Sequence, residues 1–106
     1  MTYIEVEQLI NTMLKQHGHY SNSSKMLKHE MFNCLYSYKQ ESLNILFKRL
    51  HDDPLAGANE ISMFYKLADI KENIFPENER GRINLMKTRL IKYAVDNKLV
   101  SLENET

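Results

Sequence analysis

Hydrophobic positions recur with a helical period along most of the chain, and the period is clearest in residues 59–75. On a helix that turns about 100° per residue, the apolar side chains of this stretch fall on two adjacent stripes and the polar ones on a single narrow strip. The two apolar stripes are Ile61, Phe64, Tyr65 and Ala68, and Met63, Leu67, Ile70 and Ile74. The polar strip is Ser62, Lys66, Asp69 and Asn73. Because so narrow a polar strip is typical of a helix packed on two sides, we expect residues 59–75 to form the central helix.

Local signals predict the ends of this central helix. Asn59 is suited to the N-cap position, and Glu60 would place a negative charge in the first turn, where the helix dipole favours an anion. Pro76 restricts the residue before it to extended geometry, so we expect the helix to stop there.

The same period predicts helices on both sides of the central one. The predicted ranges are 3–16, Ser23 or Ser24 to Tyr38, about 40–51, and Glu77 to about Leu99. The apolar stripe of the first range is Val6, Leu9, Ile10, Met13 and Leu14, and the residues expected inward in the last are Ile83, Met86, Leu90, Tyr93 and Ala94. No glycine or proline separates the second range from the third, but the polar stretch 37–42 favours a kink or a short break. The sequence therefore predicts one all-α domain, a compact bundle of four to five helices, with a frayed tail at 101–106.

Composition agrees with a small globular domain. The chain has 106 residues, of which 42% are hydrophobic and 26% are charged, so a packed core is expected and general disorder is not. Cys34 is the single cysteine, which excludes an intramolecular disulfide, and its apolar helical face predicts a buried thiol. No apolar run approaches the roughly 18 residues of a membrane span, and the N-terminus has no basic region, so we expect a cytoplasmic protein.

Candidate catalytic and metal-binding groups are scattered. The histidines do not form an HExxH motif, and the glycines are isolated, so neither a zinc site nor a phosphate loop is predicted. Asp52 and Asp53 precede Pro54, where acidic residues commonly mark a turn. We therefore expect a protein without cofactor or metal that is not an enzyme.

The C-terminal segment is basic in a chain whose formal net charge is zero. Residues 77–99 hold six basic side chains against three acidic ones, a net charge of +3. Arg82, Arg89 and Lys92 lie on one outer strip, which could neutralise the phosphates of a nucleic acid. The alternative is an ordinary solvated helix face.

Part of the chain is similar to the Hha/YmoA family of small bacterial nucleoid-associated modulators. The similarity rests on Asn59, Glu60, Phe64, Tyr65, Ala68 and Asp69, and on a looser match from Lys28 to Leu35. It covers residues 28–75; residues 1–25 have no counterpart there, and the segment after Pro76 departs from the family pattern. The resemblance implies a protein that binds the N-terminal oligomerisation region of the nucleoid protein H-NS, with Asp69 at the contact.

These observations favour a small regulator that acts through a protein partner, with a role in transcription or gene silencing. The predicted partner-binding residues are Lys66, Asp69 and Asn73, on the polar strip of the central helix. Three alternatives stay open: direct DNA binding through Arg82, Arg89 and Lys92, a small inhibitor or immunity protein that blocks one enzyme, and, as an oligomeric state, a homodimer.

Overall fold

The chain folds into a bundle of α-helices, which confirms the predicted all-α architecture. The computed structural model describes residues 2–17 and 30–100, and this part of the chain contains no β-strand. Its elements are α1 (Tyr3–His17), α2 (Glu30–Ser37), α3 (Lys39–Asp52), α4 (Ala58–Leu67), a short 3-10 helix (Glu77–Glu79) and α5 (Ile83–Asp96). The predicted start of the second helix, His19, His29 and the tail 101–106 lie outside the described residues.

One hydrophobic core receives side chains from all five of these α-helices, in the pattern that the helical period predicted. Val6, Ile10 and Met13 of α1 are fully buried, as are Phe64 and Leu67 of α4. The remaining core side chains are Leu35, Leu43, Ile45, Leu46, Leu50, Ala56, Ile61, Met63, Leu90, Ala94 and Val100.

The helix at the centre of the bundle is α3, and the prediction that residues 59–75 form the central helix is wrong in this respect. α3 packs against each of the other four α-helices, whereas α4 packs mainly against α3 and α5. α3 has 14 residues against 10 in α4, so its buried face is longer and can contact more neighbours. The buried residues on that face are Ser42, Leu43, Ile45, Leu46 and Leu50.

The prediction that the helix runs from Asn59 to Phe75 is also wrong in its bounds. α4 begins at Ala58, with Gly57 at the N-cap position, and it ends at Leu67 rather than before Pro76. The expected acidic first turn is confirmed, because the Glu60 carboxylate accepts a hydrogen bond from the Gly57 N–H at 3.2 Å. Pro76 instead precedes the 3-10 helix.

A Schellman-type turn terminates α4. The Ile70 N–H donates to the Tyr65 carbonyl at 3.2 Å, and the Asp69 N–H donates to the Lys66 carbonyl at 3.1 Å. Asp69 lies between these bonds with a φ of 56°, in the left-handed region. The turn reverses the chain, so that Ile70, Ile74 and Phe75 pack against the same core as α4 instead of continuing beyond it.

The predicted break between the second and third helices is confirmed at a single residue, Tyr38, which separates α2 from α3. Buried Ser42 stabilises the turn, because its hydroxyl donates to the Leu35 carbonyl at 3.3 Å. The predicted burial of Cys34 is wrong, since its thiol is exposed. On this short helix the neighbouring Leu35 takes the core position, and Cys34 lies about 100° away around the helix.

The C-terminal segment is not one helix from Glu77 to Leu99. Residues 77–79 form the separate 3-10 helix, the chain turns at Gly81 with a φ of 85°, and α5 runs only from Ile83 to Asp96. A second left-handed residue, Lys98, ends α5 in the same way that Asp69 ends α4. Among the described helices, none combines the length and the apolar character needed to cross a membrane.

Candidate functional site

A groove lies between α4 and the segment that follows it. We call residues 69–75, which fold back after the Schellman-type turn, the strap. The groove has a volume of about 770 Å³ and is bounded by α2 through Tyr36, by α4, by the strap and by α5 through Met86. Its apolar lining is Ile61, Tyr65, Ile70, Phe75 and Met86, and its polar lining includes Ser62, Lys66, Asp69, Lys71, Glu72 and Asn73.

The three residues predicted to bind a partner, Lys66, Asp69 and Asn73, all line this groove. They do so for a different reason from the one expected, because only Lys66 lies on α4. Asp69 and Asn73 belong to the strap, which the chain reversal returns to the side of α4. The groove therefore combines all three side chains with an apolar lining.

Charges on the groove are balanced in sign. Lys71 Nζ lies 3.3 Å from Asp69 Oδ1, and both side chains are mostly exposed, so this ion pair contributes little to stability. The Tyr36 hydroxyl donates to the Lys66 carbonyl at 3.3 Å and so ties α2 to the end of α4. Partial burial, and then the negative charge of Asp69, raise the pKa of Tyr36 above its ordinary value.

Glu72, in the middle of the strap, accepts hydrogen bonds from two tyrosines. The Tyr65 hydroxyl donates to its main-chain carbonyl, and the Tyr93 hydroxyl donates to its carboxylate at 2.6 Å. The bond to Glu72 is the main cause that raises the pKa of Tyr93, because the carboxylate stabilises the protonated phenol. The Tyr65 and Phe75 rings also pack together, with centroids 5.8 Å apart.

Asp69 is strained by its left-handed backbone, and this predicts a stability difference between two variants that both lack the carboxylate. We expect Asp69→Gly to be more stable than Asp69→Ala by about 1 kcal/mol, because only glycine adopts a positive φ without steric cost. Urea unfolding followed by circular dichroism would measure the difference. Equal free energies of unfolding for the two variants would contradict a strained turn at this position.

The predicted nucleic-acid-binding residues are only partly available. Arg82 and Lys92 are exposed, but Arg89 forms a two-point ion pair with Glu79, through Nη2 to Oε2 at 2.7 Å and Nε to Oε1 at 3.0 Å. This bonding lowers the pKa of Glu79 and raises the pKa of Arg89, and the positive charge of Arg82 lowers the pKa of Glu79 further. One carboxylate thus offsets part of the positive charge on this face.

The basic segment also holds one cation that does not face solvent. Lys87 is buried on α5, and its Nζ donates to the Asp53 carbonyl at 3.0 Å, just after the end of α3. Lys87 is one of the six basic residues that give residues 77–99 their net charge of +3. Its position between Ile83, Met86 and Leu90 on the inward face was the available signal, because a lysine there must bury its stem.

Groups with metal-binding chemistry do not gather in the described residues. His51 Nδ1 lies 2.6 Å from Asp52 Oδ1, but both side chains are exposed. Within residues 2–17 and 30–100, no three histidine, cysteine, aspartate or glutamate side chains come close enough to hold a metal ion.

Sequence analysis missed Glu72 and Tyr93 as residues that shape the groove. Tyr93 was predicted to point inward from the last helix, which it does in part, but its hydroxyl partner lies 21 positions earlier in the chain. No local pattern indicates such a long-range bond.

Comparison of the chain with protein-family models, with curated proteins and with solved structures finds no match.

Proposed function

We propose that this chain is a small non-enzymatic regulator that binds a protein partner in the groove between α4 and the strap. The main support for the proposal is that Lys66, Asp69 and Asn73 line the same groove as a set of apolar side chains. Such a combination of apolar and charged groups suits a protein surface, which can offer both apolar side chains and counter-charges.

The kinds of residue that line the groove also favour a protein partner. Tyr36, Tyr65, Phe75 and Met86 contribute aromatic or flexible apolar surface, and these residue types are enriched in protein interfaces. Tyr36 is 41% exposed, so its ring remains available for contact.

The residue pattern from Lys28 to Phe75 indicates which protein partner to test first. Its similarity to the Hha/YmoA family supports a cytoplasmic role in bacterial transcription or gene silencing, with an H-NS-type nucleoid protein as the partner. In this proposal Asp69 meets a basic group of that partner, since its carboxylate is exposed at the edge of the groove.

Calorimetric titration of the purified chain with the N-terminal oligomerisation region of H-NS tests the proposal. We expect Asp69→Lys to weaken binding by about tenfold or more, because it places like charges together at the contact. Asp96→Lys is the matched control, since Asp96 is an exposed acid outside the groove. Absence of binding by the unsubstituted chain, or equal weakening by both variants, would contradict the proposal.

Direct DNA binding through Arg82, Arg89 and Lys92 is the second candidate, and the net charge of +3 in residues 77–99 favours it. The two functions differ in their response to salt. Binding of naked DNA would weaken steeply as the salt concentration rises, and it would fail when the three residues become alanine. Binding of the protein partner would survive that triple substitution.

A further inference from the structure

The strap is held in place by side chains. Between Ile70 and Pro76 it makes no backbone–backbone hydrogen bond to the described part of the chain. Beyond the turn at Asp69 and Ile70, whose N–H groups donate to carbonyls of α4, its hydrogen bonds come from the hydroxyls of Tyr65 and Tyr93, and from Asn73, whose Oδ1 accepts from the Phe75 N–H at 3.1 Å. A segment without backbone pairing depends on such bonds for its position.

Among these bonds, the one from Tyr93 is distinct because it comes from another helix. Tyr65 lies on α4, directly before the strap, so its bond closes a local loop. Tyr93 lies on α5, does not line the groove itself, and reaches the Glu72 carboxylate across the fold. A hydrogen bond to a charged acceptor is stronger than one between neutral groups, so we expect this bond to hold the strap more strongly than the bond from Tyr65 to the neutral Glu72 carbonyl.

We propose that Tyr93 is a positioning residue for the groove, in which its hydroxyl holds the strap through Glu72 and so presets the surface that a protein partner meets. This rests on the proposed function, because the strap contributes Asp69 and Asn73 to the groove. The bond from Tyr93 also occupies the Glu72 carboxylate within the protein. Asp69 is therefore the acid of the strap that can exchange its exposed ion pair with Lys71 for a basic group of the partner.

Hydrogen exchange measured by NMR on Tyr93→Phe tests the tie, since phenylalanine keeps the ring and removes only the hydroxyl. We expect the Ile70 and Phe75 amides to exchange about tenfold faster, while the amide of Leu46 in the core of α3 is unchanged. Tyr3→Phe is the matched control, because Tyr3 is 47% exposed and does not line the groove. Unchanged exchange at Ile70 and Phe75, or equal acceleration at all three amides, would overturn the proposal.

A titration of ¹³C-labelled tyrosines gives a readout that general loosening of the fold would not produce. In the unsubstituted chain the pKa of Tyr93 lies above its ordinary value. Glu72→Gln should move it down towards that value, because the Tyr93 hydroxyl bonds to the Glu72 carboxylate. An unmoved Tyr93 titration would overturn the assignment. Both measurements use the protein alone, so their failure is distinguishable from failure of the partner titration.

Discussion

Replacement of Phe64 by alanine is expected to lower the free energy of unfolding by about 3–5 kcal/mol. Among the side chains that the structure describes, Phe64 is the largest that is fully buried, at 1% exposure, and it lies on the face of α4 that packs into the core. Alanine would remove the burial of the ring and leave a cavity that the surrounding helices cannot close completely. A domain of this size has a total stability of about 5–15 kcal/mol, so the variant should be close to unfolding.

Urea unfolding monitored by circular dichroism would measure this loss. Leu55→Ala is the control, because Leu55 is 90% exposed and its truncation should change the free energy of unfolding by less than about 0.5 kcal/mol. If Phe64→Ala and Leu55→Ala cost the same, the packing of α4 described above would be incorrect.

The second large effect is expected at Lys87. Lys87→Ala should lower the free energy of unfolding by about 2–4 kcal/mol, since it removes both a buried four-carbon stem and the charge-assisted bond to the Asp53 carbonyl. Lys87→Met keeps most of the stem and loses only the ammonium group. Its cost should be smaller, about 1 kcal/mol, because the Asp53 carbonyl still accepts from the Ala56 N–H at 3.1 Å.

The order of these two variants separates packing from charge. Lys92→Ala on the same helix is the control, since Lys92 is exposed and its loss should be nearly neutral. Thermal unfolding of the three variants at one pH would give the comparison. A Lys87→Ala variant as stable as Lys92→Ala would show that the buried lysine contributes nothing to the junction between α3 and α5.

The helical period predicted the core well where helices are long and amphipathic. In α1, the positions expected inward include the fully buried Val6, Ile10 and Met13, and Leu90 and Ala94 of α5 are also buried as expected. The prediction was wrong at Cys34, where the neighbouring Leu35 takes the core position. The period also does not indicate the burial of Lys87, since a lysine can bury its stem while its ammonium group finds a partner elsewhere in the fold.

Three residues that line the groove were predicted to bind a partner, but the shape of the groove was not predicted. Lys66, Asp69 and Asn73 were expected on one face of a continuous helix, and they share a groove only because the chain reverses at Asp69. Glu72 and Tyr93, which hold the strap, could not be identified from the sequence, since their bond joins residues that no local period relates.

By itself, the sequence determined the all-α class and the identity of most core residues, because an apolar period of 3.6 residues is a local property of the chain. The tertiary structure alone decided where α4 ends, which helix lies at the centre, and how the strap forms one wall of the groove. The physical reason is that these features depend on bonds between distant residues. Continued helix after Leu67 would carry Ile70, Ile74 and Phe75 away from the core, whereas the left-handed turn at Asp69 returns them to it.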